Sequence, residues 1–256
     1  MADNDKSFKK VREAFKRASK YLHGKGGFSS KDLSHKEIRP LIQETFNVLR
    51  NAVDFGIKTE IPEAMLEKLQ SDVFVFSGMK TYSQLKEASL LLLDEAGKIK
   101  PYAKFEQDIL SIDNTYNRNY LQAEHIHAIA ASQSAANYYG FMQDAGGYNL
   151  QIRTAGDDKV RQSHAVLNGI TLPDDDPFWD DHWTPFDWRC RCRIIQVRKS
   201  KYSITDADIA TTAAKEAIPE AFRYNPGKQQ VIFPPKHPYY KTSKAALNEI
   251  KSMDKN

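Results

Sequence analysis

The chain has 256 residues, 41% of them apolar and 27% charged, a net charge of +4 and two cysteines. That is enough to bury a core without disulfide help, in one large domain or two of ordinary size. No stretch approaches the ~18 apolar residues of a membrane span, and the mild positive charge tolerates contact with nucleic acid without demanding it. The opening "MADNDKSFKKVREAF" is polar from its second residue, which argues against a signal peptide. Together with two lone cysteines it points to a soluble protein of the reducing cytosol.

Phe8, Val11, Phe15, Ala18 and Leu22 recur at spacings of three and four and predict an amphipathic helix over 5–23, stopped by "GKGG" at 24–27. Ser34 and Glu37 read as a capping box, with a second helix behind it running to Gly56. Pro62 suits a third helix start. "VFVFSG" at 73–78 has strand composition, and a helical stretch follows over 81–95. From Tyr102 to about Met142 there is no proline and one late glycine. The apolar stripe there predicts a single long helix, a rod of ~60 Å at 1.5 Å per residue.

"GG" at 146–147 ends that pattern, and residues 148–240 hold all three tryptophans, both cysteines and runs of aspartate. Strands are expected at 148–153, 193–198 and 229–233, with a short helix at 158–168. The fold class is therefore α+β. A helical domain over 1–145 precedes a small mixed α+β domain over 146–240 and a polar helical tail over 241–256.

The candidate chemistry centres on "PFDWRCRCRI", residues 185–194. On an extended segment Cys190 and Cys192 point to one face and can share a metal ion. Zinc takes such Cys and His ligands, and a disulfide between the two would close a strained ring. His164 and His182 are the nearest histidines, and Asp187 is a candidate carboxylate ligand. Two buried cysteines serving as small hydrophobes are the plainer alternative. Arg189, Arg191 and Arg193 would share the opposite face, to meet phosphate, partner carboxylates or nearby aspartates. "DDDPFWDD" at 174–181 lacks the ligand order of a calcium loop and reads as a solvated turn. His125 and His127, two apart on a helix, face different ways and make a poor ligand pair. No complete nucleophile motif is present, although Asp157, Asp158 and His164 lie close enough in sequence to suggest a hydrolytic base.

The segment "RTAGDDKVRQSHAVLNGITLPDDDPFWDDHWTPFDWRCRC" resembles the signature of the phage Mu protein F-like family of minor head, or head morphogenesis, proteins. The matching residues are Arg153, Asp157 or Asp158, Val160, Arg161, His164, Gly169, Pro185, Cys190, Arg191 and Cys192. "NPG" at 225–227 and "YNRNYLQAE" at 116–124 are also similar, in a form associated with Bacteroidetes phages and prophages. Many members carry His-x or Asn-Gly just before C-R-C. Here Phe186 and Asp187 stand there, so a histidine ligand would be lost or replaced by Asp187. The resemblance implies a minor capsid protein and not an enzyme. Its partners would be the portal protein and other capsid components during procapsid assembly, with non-specific double-stranded DNA at packaging or ejection. It would reside in the virion, in the head interior or at the portal vertex, and in the bacterial host cytoplasm during assembly. The alternatives are a metal-dependent nuclease or hydrolase built on His164 and the C-R-C motif, and a toxin or DNA-binding adaptor.

Overall fold

The computed structural model describes residues 2–254. Helix α1 (Ala2–Lys25) buries Val11, Phe15, Ala18 and Leu22 and stops where Gly26 takes a φ of 76°. The expected capping box at Ser34 is displaced. Asp32 instead accepts from the backbone N–H and the hydroxyl of Ser29 at 2.8 and 3.0 Å, around a 3₁₀ turn, Ser30–Ser34. Helix α2 (Arg39–Gly56) follows, with Pro40 as its second residue, and then α3 (Glu63–Ser89). The strand expected at 73–78 is part of α3. Val73, Phe76 and Met79 are fully buried at helical spacing, and that burial overrides the β-propensity of "VFVF".

From Tyr102 to Gln143 the chain is helical apart from a turn at Ile109, and it is not one regular helix. It comprises α4 (Tyr102–Asp108), α5 (Leu110–Asn114), a π-helical segment (Thr115–Tyr120) and α6 (Leu121–Gln143). A buried cation accounts for the π segment. Lys80 is fully buried, and its ammonium donates to Glu124 Oε2 at 2.6 Å and to the Tyr116 carbonyl at 2.7 Å. That carbonyl also accepts from Leu121 N–H, five residues on, so the widened turn presents it to the lysine. Asn117, buried in the same segment, donates to Asp113 Oδ1 at 3.0 Å, and Arg12 donates to Asp113 Oδ2 at 2.7 Å.

Residues 144–237 are built around a small antiparallel sheet. β1 (Tyr148–Arg153) leads through α7 (Gln162–Ala165) to β2 (Thr171–Pro173), and through α8 (Phe178–Asp181) to β3 (Arg193–Arg198). The strand order is β2-β1-β3, with Leu150 opposite Leu172 and Gln196, and Ile152 opposite Ile194. After it come α9 (Ala207–Ala217), α10 (Pro226–Gln229) and α11 (Lys244–Met253). β2 was not expected from the sequence, and α7 is far shorter than the helix expected at 158–168. The strand expected at 229–233 is absent. Gln230 there is left-handed, with a φ of 55°. The Ile232 carbonyl is used by side chains instead of a ladder, accepting from the Tyr224 hydroxyl at 2.8 Å and His127 Nε2 at 3.1 Å. α11 is the helix expected in the polar tail over 241–256, and it is anchored by Ala246 and Ile250, both fully buried; residues 255–256 of that tail lie outside the described residues.

Two compact units are each assembled from separate segments. One takes Met1–Asn51, Ser71–His125 and Pro238–Asn256, the other Ala52–Gln70 and Ile126–His237. The boundary expected near residue 146 lies inside the second unit. That unit packs Leu150, Ile152, Leu172, Trp179, Trp183 and Phe186 into one core. No described helix is long and apolar enough to cross a membrane.

Two buried ionisable groups generate predictions. Lys80→Met leaves Glu124 buried, with the Tyr239 hydroxyl 3.4 Å away. The expected loss is about 3–5 kcal/mol, most of it recovered in Lys80→Met/Glu124→Leu, as a double-mutant cycle by urea unfolding will read. His127 sits in the second unit against Trp188, Phe222 and Phe233, and burial pushes its pKa down to about 3 against the opposing pull of the Ile232 carbonyl. The unfolded chain titrates this residue near ~6.5, so from there down to about 3 it binds a proton that the folded chain does not. Stability therefore falls as the pH drops below ~6.5, by up to about 1.4 kcal/mol per pH unit. Urea midpoints measured from about pH 7 to about pH 5 should fall more steeply for the wild type than for His127→Phe.

Candidate metal centre

Two irregular segments, 154–170 and 184–192, carry the residues of the signature. Both are anchored to the sheet, the first leaving β1 and returning as β2, the second entering β3. Gly169 closes the first segment. Its N–H donates to the Ile152 carbonyl at 2.8 Å, with a φ of 91° that L side chains rarely adopt. Arg153, at the end of β1, donates to the Tyr202 hydroxyl at 3.0 Å. In the second segment Pro185 follows a cis peptide bond, and Phe186 is fully buried in the core.

Charged side chains tie the two segments together. Arg191 binds Asp157 through two parallel hydrogen bonds of 2.6 and 2.7 Å, which hold the Asp157 carboxyl down at about 2. Arg161 donates to the Trp188 carbonyl at 2.7 Å, and its Nε lies 3.6 Å from Asp187 Oδ2. The expectation that Arg189, Arg191 and Arg193 share one strand face is corrected here. β3 begins only at Arg193, and Arg189 is left-handed at a φ of 57°, so the three do not continue one extended strand.

Between these ties, His164, Cys190 and Cys192 come together. His164 Nδ1 lies 3.8 Å from Cys190 Sγ and 3.9 Å from Cys192 Sγ, and the three atoms are all within 4.8 Å of one another. Neither the four-residue α7 nor an extended strand would achieve this alone. Cys190 N–H donates to the Asp187 carbonyl at 3.2 Å, which turns the chain, and Cys192 N–H donates to Cys190 Sγ at 3.4 Å. His164 and Cys190 are buried and Cys192 is half-buried. The hydrogen bond between the two thiols holds Cys190 well below the usual thiol range, against the opposing effect of burial and with help from His164. The same bond, reinforced by burial, pushes Cys192 up.

The other two candidate ligands stand outside this cluster. The Asp187 carboxylate is committed to Trp188 N–H, at 2.7 Å, and faces Arg161. His182 donates through Nδ1 to the Phe178 carbonyl at 3.0 Å and stacks on the Phe178 ring. Asp158 is exposed beside the Asp157–Arg191 pair. The acidic run 174–181 is used for local structure. Asp174 accepts from Gly146 N–H, Asp176 from Phe178 N–H, and Asp180 pairs with Lys228. Sequence reasoning missed the Trp188 carbonyl and Tyr202 as partners of the signature arginines. Nothing in residue type marks a backbone carbonyl as an acceptor.

"NPG" has an equally concrete role. Asn225 is fully buried, accepts from Gly227 and Lys228 N–H at 2.9 and 3.0 Å, and donates to the Trp179 carbonyl at 2.9 Å. A Cβ on Gly227 would stand 2.5 Å from Tyr138 Cβ, so only glycine fits.

An α+β protein whose loops are tied by the signature residues is thus on view. Residues 47–195 match the family described as Phage Mu protein F like protein, and the chain belongs to that family. Among curated proteins it is similar to the Mu-like prophage FluMu F protein of Haemophilus influenzae, 37% identical over 69 residues. It is also similar to the putative capsid assembly protein F of Escherichia phage Mu, 42% identical over 61 residues. These alignments cover 24% and 23% of this chain and 17% and 14% of the relatives, so the chain spans only a small part of either. No solved structure matches.

The Gly169→Ala substitution isolates the loop geometry. No atom lies within 4 Å of the added Cβ, so the cost is one of backbone strain. A loss of about 1–2 kcal/mol is expected in urea unfolding, with Gly169→Asn costing less because asparagine tolerates the left-handed region.

Proposed function

We propose that this chain is a minor capsid protein of a tailed phage or prophage, which joins the portal vertex during assembly of the procapsid. Membership of the Phage Mu protein F like family carries the reading, supported by the name of the phage Mu relative, a putative capsid assembly protein. The partners would be the portal protein and other capsid components. The place would be the head interior or portal vertex of the virion, and the bacterial host cytoplasm while heads are built. Contact with double-stranded DNA during packaging or ejection would be electrostatic and non-specific, in keeping with a net charge of only +4.

An amber mutation in the gene, in the phage that carries it, tests this. Tails should assemble normally while DNA-filled, infectious heads fall to a small fraction of the wild-type yield. Tagged protein should co-purify with portal from procapsids. Normal heads in its absence would sink the reading. A His164→Ala variant that folds and assembles but loses a measurable nuclease or hydrolase turnover would replace it with the enzymatic alternative.

A further inference from the structure

We propose that His164 Nδ1, Cys190 Sγ and Cys192 Sγ bind one zinc ion, a structural site that locks segment 154–170 onto segment 184–192. This goes beyond the assembly reading and does not depend on it.

The three donors are spaced for one ion. With Zn–S bonds of ~2.3 Å and Zn–N bonds of ~2.0 Å, donors at two corners of a tetrahedron lie roughly 3.5 Å apart. The observed N···S separations are 3.8 and 3.9 Å. Without an ion the same contacts would be S–H···N hydrogen bonds. The imidazole Nδ1 has one lone pair or one proton, so it serves one sulfur well, not two equally. Two sulfurs at nearly equal distance from it describe a shared point between all three atoms.

The surroundings agree. Cys192 N–H points at Cys190 Sγ, the type of bond that steadies a thiolate within a tight turn. Soft thiolates with an imidazole suit zinc better than they suit magnesium or calcium. The cleft beside the three side chains has a volume of about 20 Å³, enough for one water-sized occupant.

Three protein donors leave a fourth corner, since Asp187 is committed to Trp188 N–H and Arg161 and His182 lies outside the cluster. Water would fill that corner, and an ion held by donors from both segments cross-links loops with almost no regular hydrogen-bonded structure. The Asp157–Arg191 pair flanks the site and acts in parallel with it.

The test uses the full chain, purified without chelator and without a histidine tag. Elemental analysis should give one zinc per chain. Replacement by cobalt should produce thiolate-to-cobalt charge transfer in the near ultraviolet and the visible bands of a tetrahedral ion. Chelation should lower the melting temperature. Cys190→Ser/Cys192→Ser should lose the metal, while Arg191→Ala, a cleft wall that is not a ligand, should keep it. If the double variant does not fold, the cobalt spectrum of the wild-type chain decides alone. Only trace metal on folded protein after equilibration with excess zinc would overturn the proposal. So would a cobalt spectrum without thiolate charge transfer, or a folded double variant that still binds. A zinc-free chain that still builds heads would remove the metal and leave the assembly reading intact. A zinc-loaded chain dispensable for heads would do the reverse.

Discussion

A sheet of two six-residue strands and one three-residue strand stands only with a buried apolar face behind it. The packing around β1 supplies that face. β1 is the central strand, and Leu150 and Ile152 on one face are fully buried against the tryptophan-rich core. On the other face Asn149 and Gln151 are buried as well, with Gln151 donating to the Thr171 hydroxyl at 2.7 Å. A strand covered on both sides can anchor long irregular loops, provided the loops' own polar groups are paired.

The signature residues supply those pairings. Asp157 with Arg191, Arg161 with the Trp188 carbonyl, and His164 with the two thiols span the same two segments side by side. The Asp157–Arg191 pair is solvent-exposed and adds orientation more than energy. The buried cluster beside it is where a bound ion would add the most, because an ion that prefers the folded loops stabilises them in step with its affinity and free concentration.

The helical unit meets a different constraint. An ammonium with no exposure must be surrounded by acceptors, and Lys80 obtains them from Glu124 and from a carbonyl made available by π-helical winding. The regular α-helical ladder is broken so that a buried charge is paired. Burial pushes Lys80 down and Glu124 up, each opposed by the other's charge, so removing one partner alone leaves the other stranded.

Much of this was legible in the residues themselves. Apolar spacing located α1, α2 and the helical path from Tyr102 to Gln143, glycine marked the end of α1, and short strands were expected where β1 and β3 stand. These are local signals, carried by periodicity and by residues with restricted backbone freedom. The strand forecast for "VFVFSG" failed because burial on a long helix outweighed local propensity. β2 escaped notice because three residues are too few to show a period. The C-x-C spacing and a nearby histidine marked the site, but not its membership. Asp187 and His182 were equally eligible by sequence, and His164 was selected only when the turn at Asp187 and the short helix α7 brought Nδ1 to both sulfurs. The π segment was equally invisible, since its cause, Lys80, lies 36 residues from the carbonyl it binds. Residue types and short-range spacing are written in the sequence. Which distant polar groups must share a partner is decided only when the chain closes around them and water is gone.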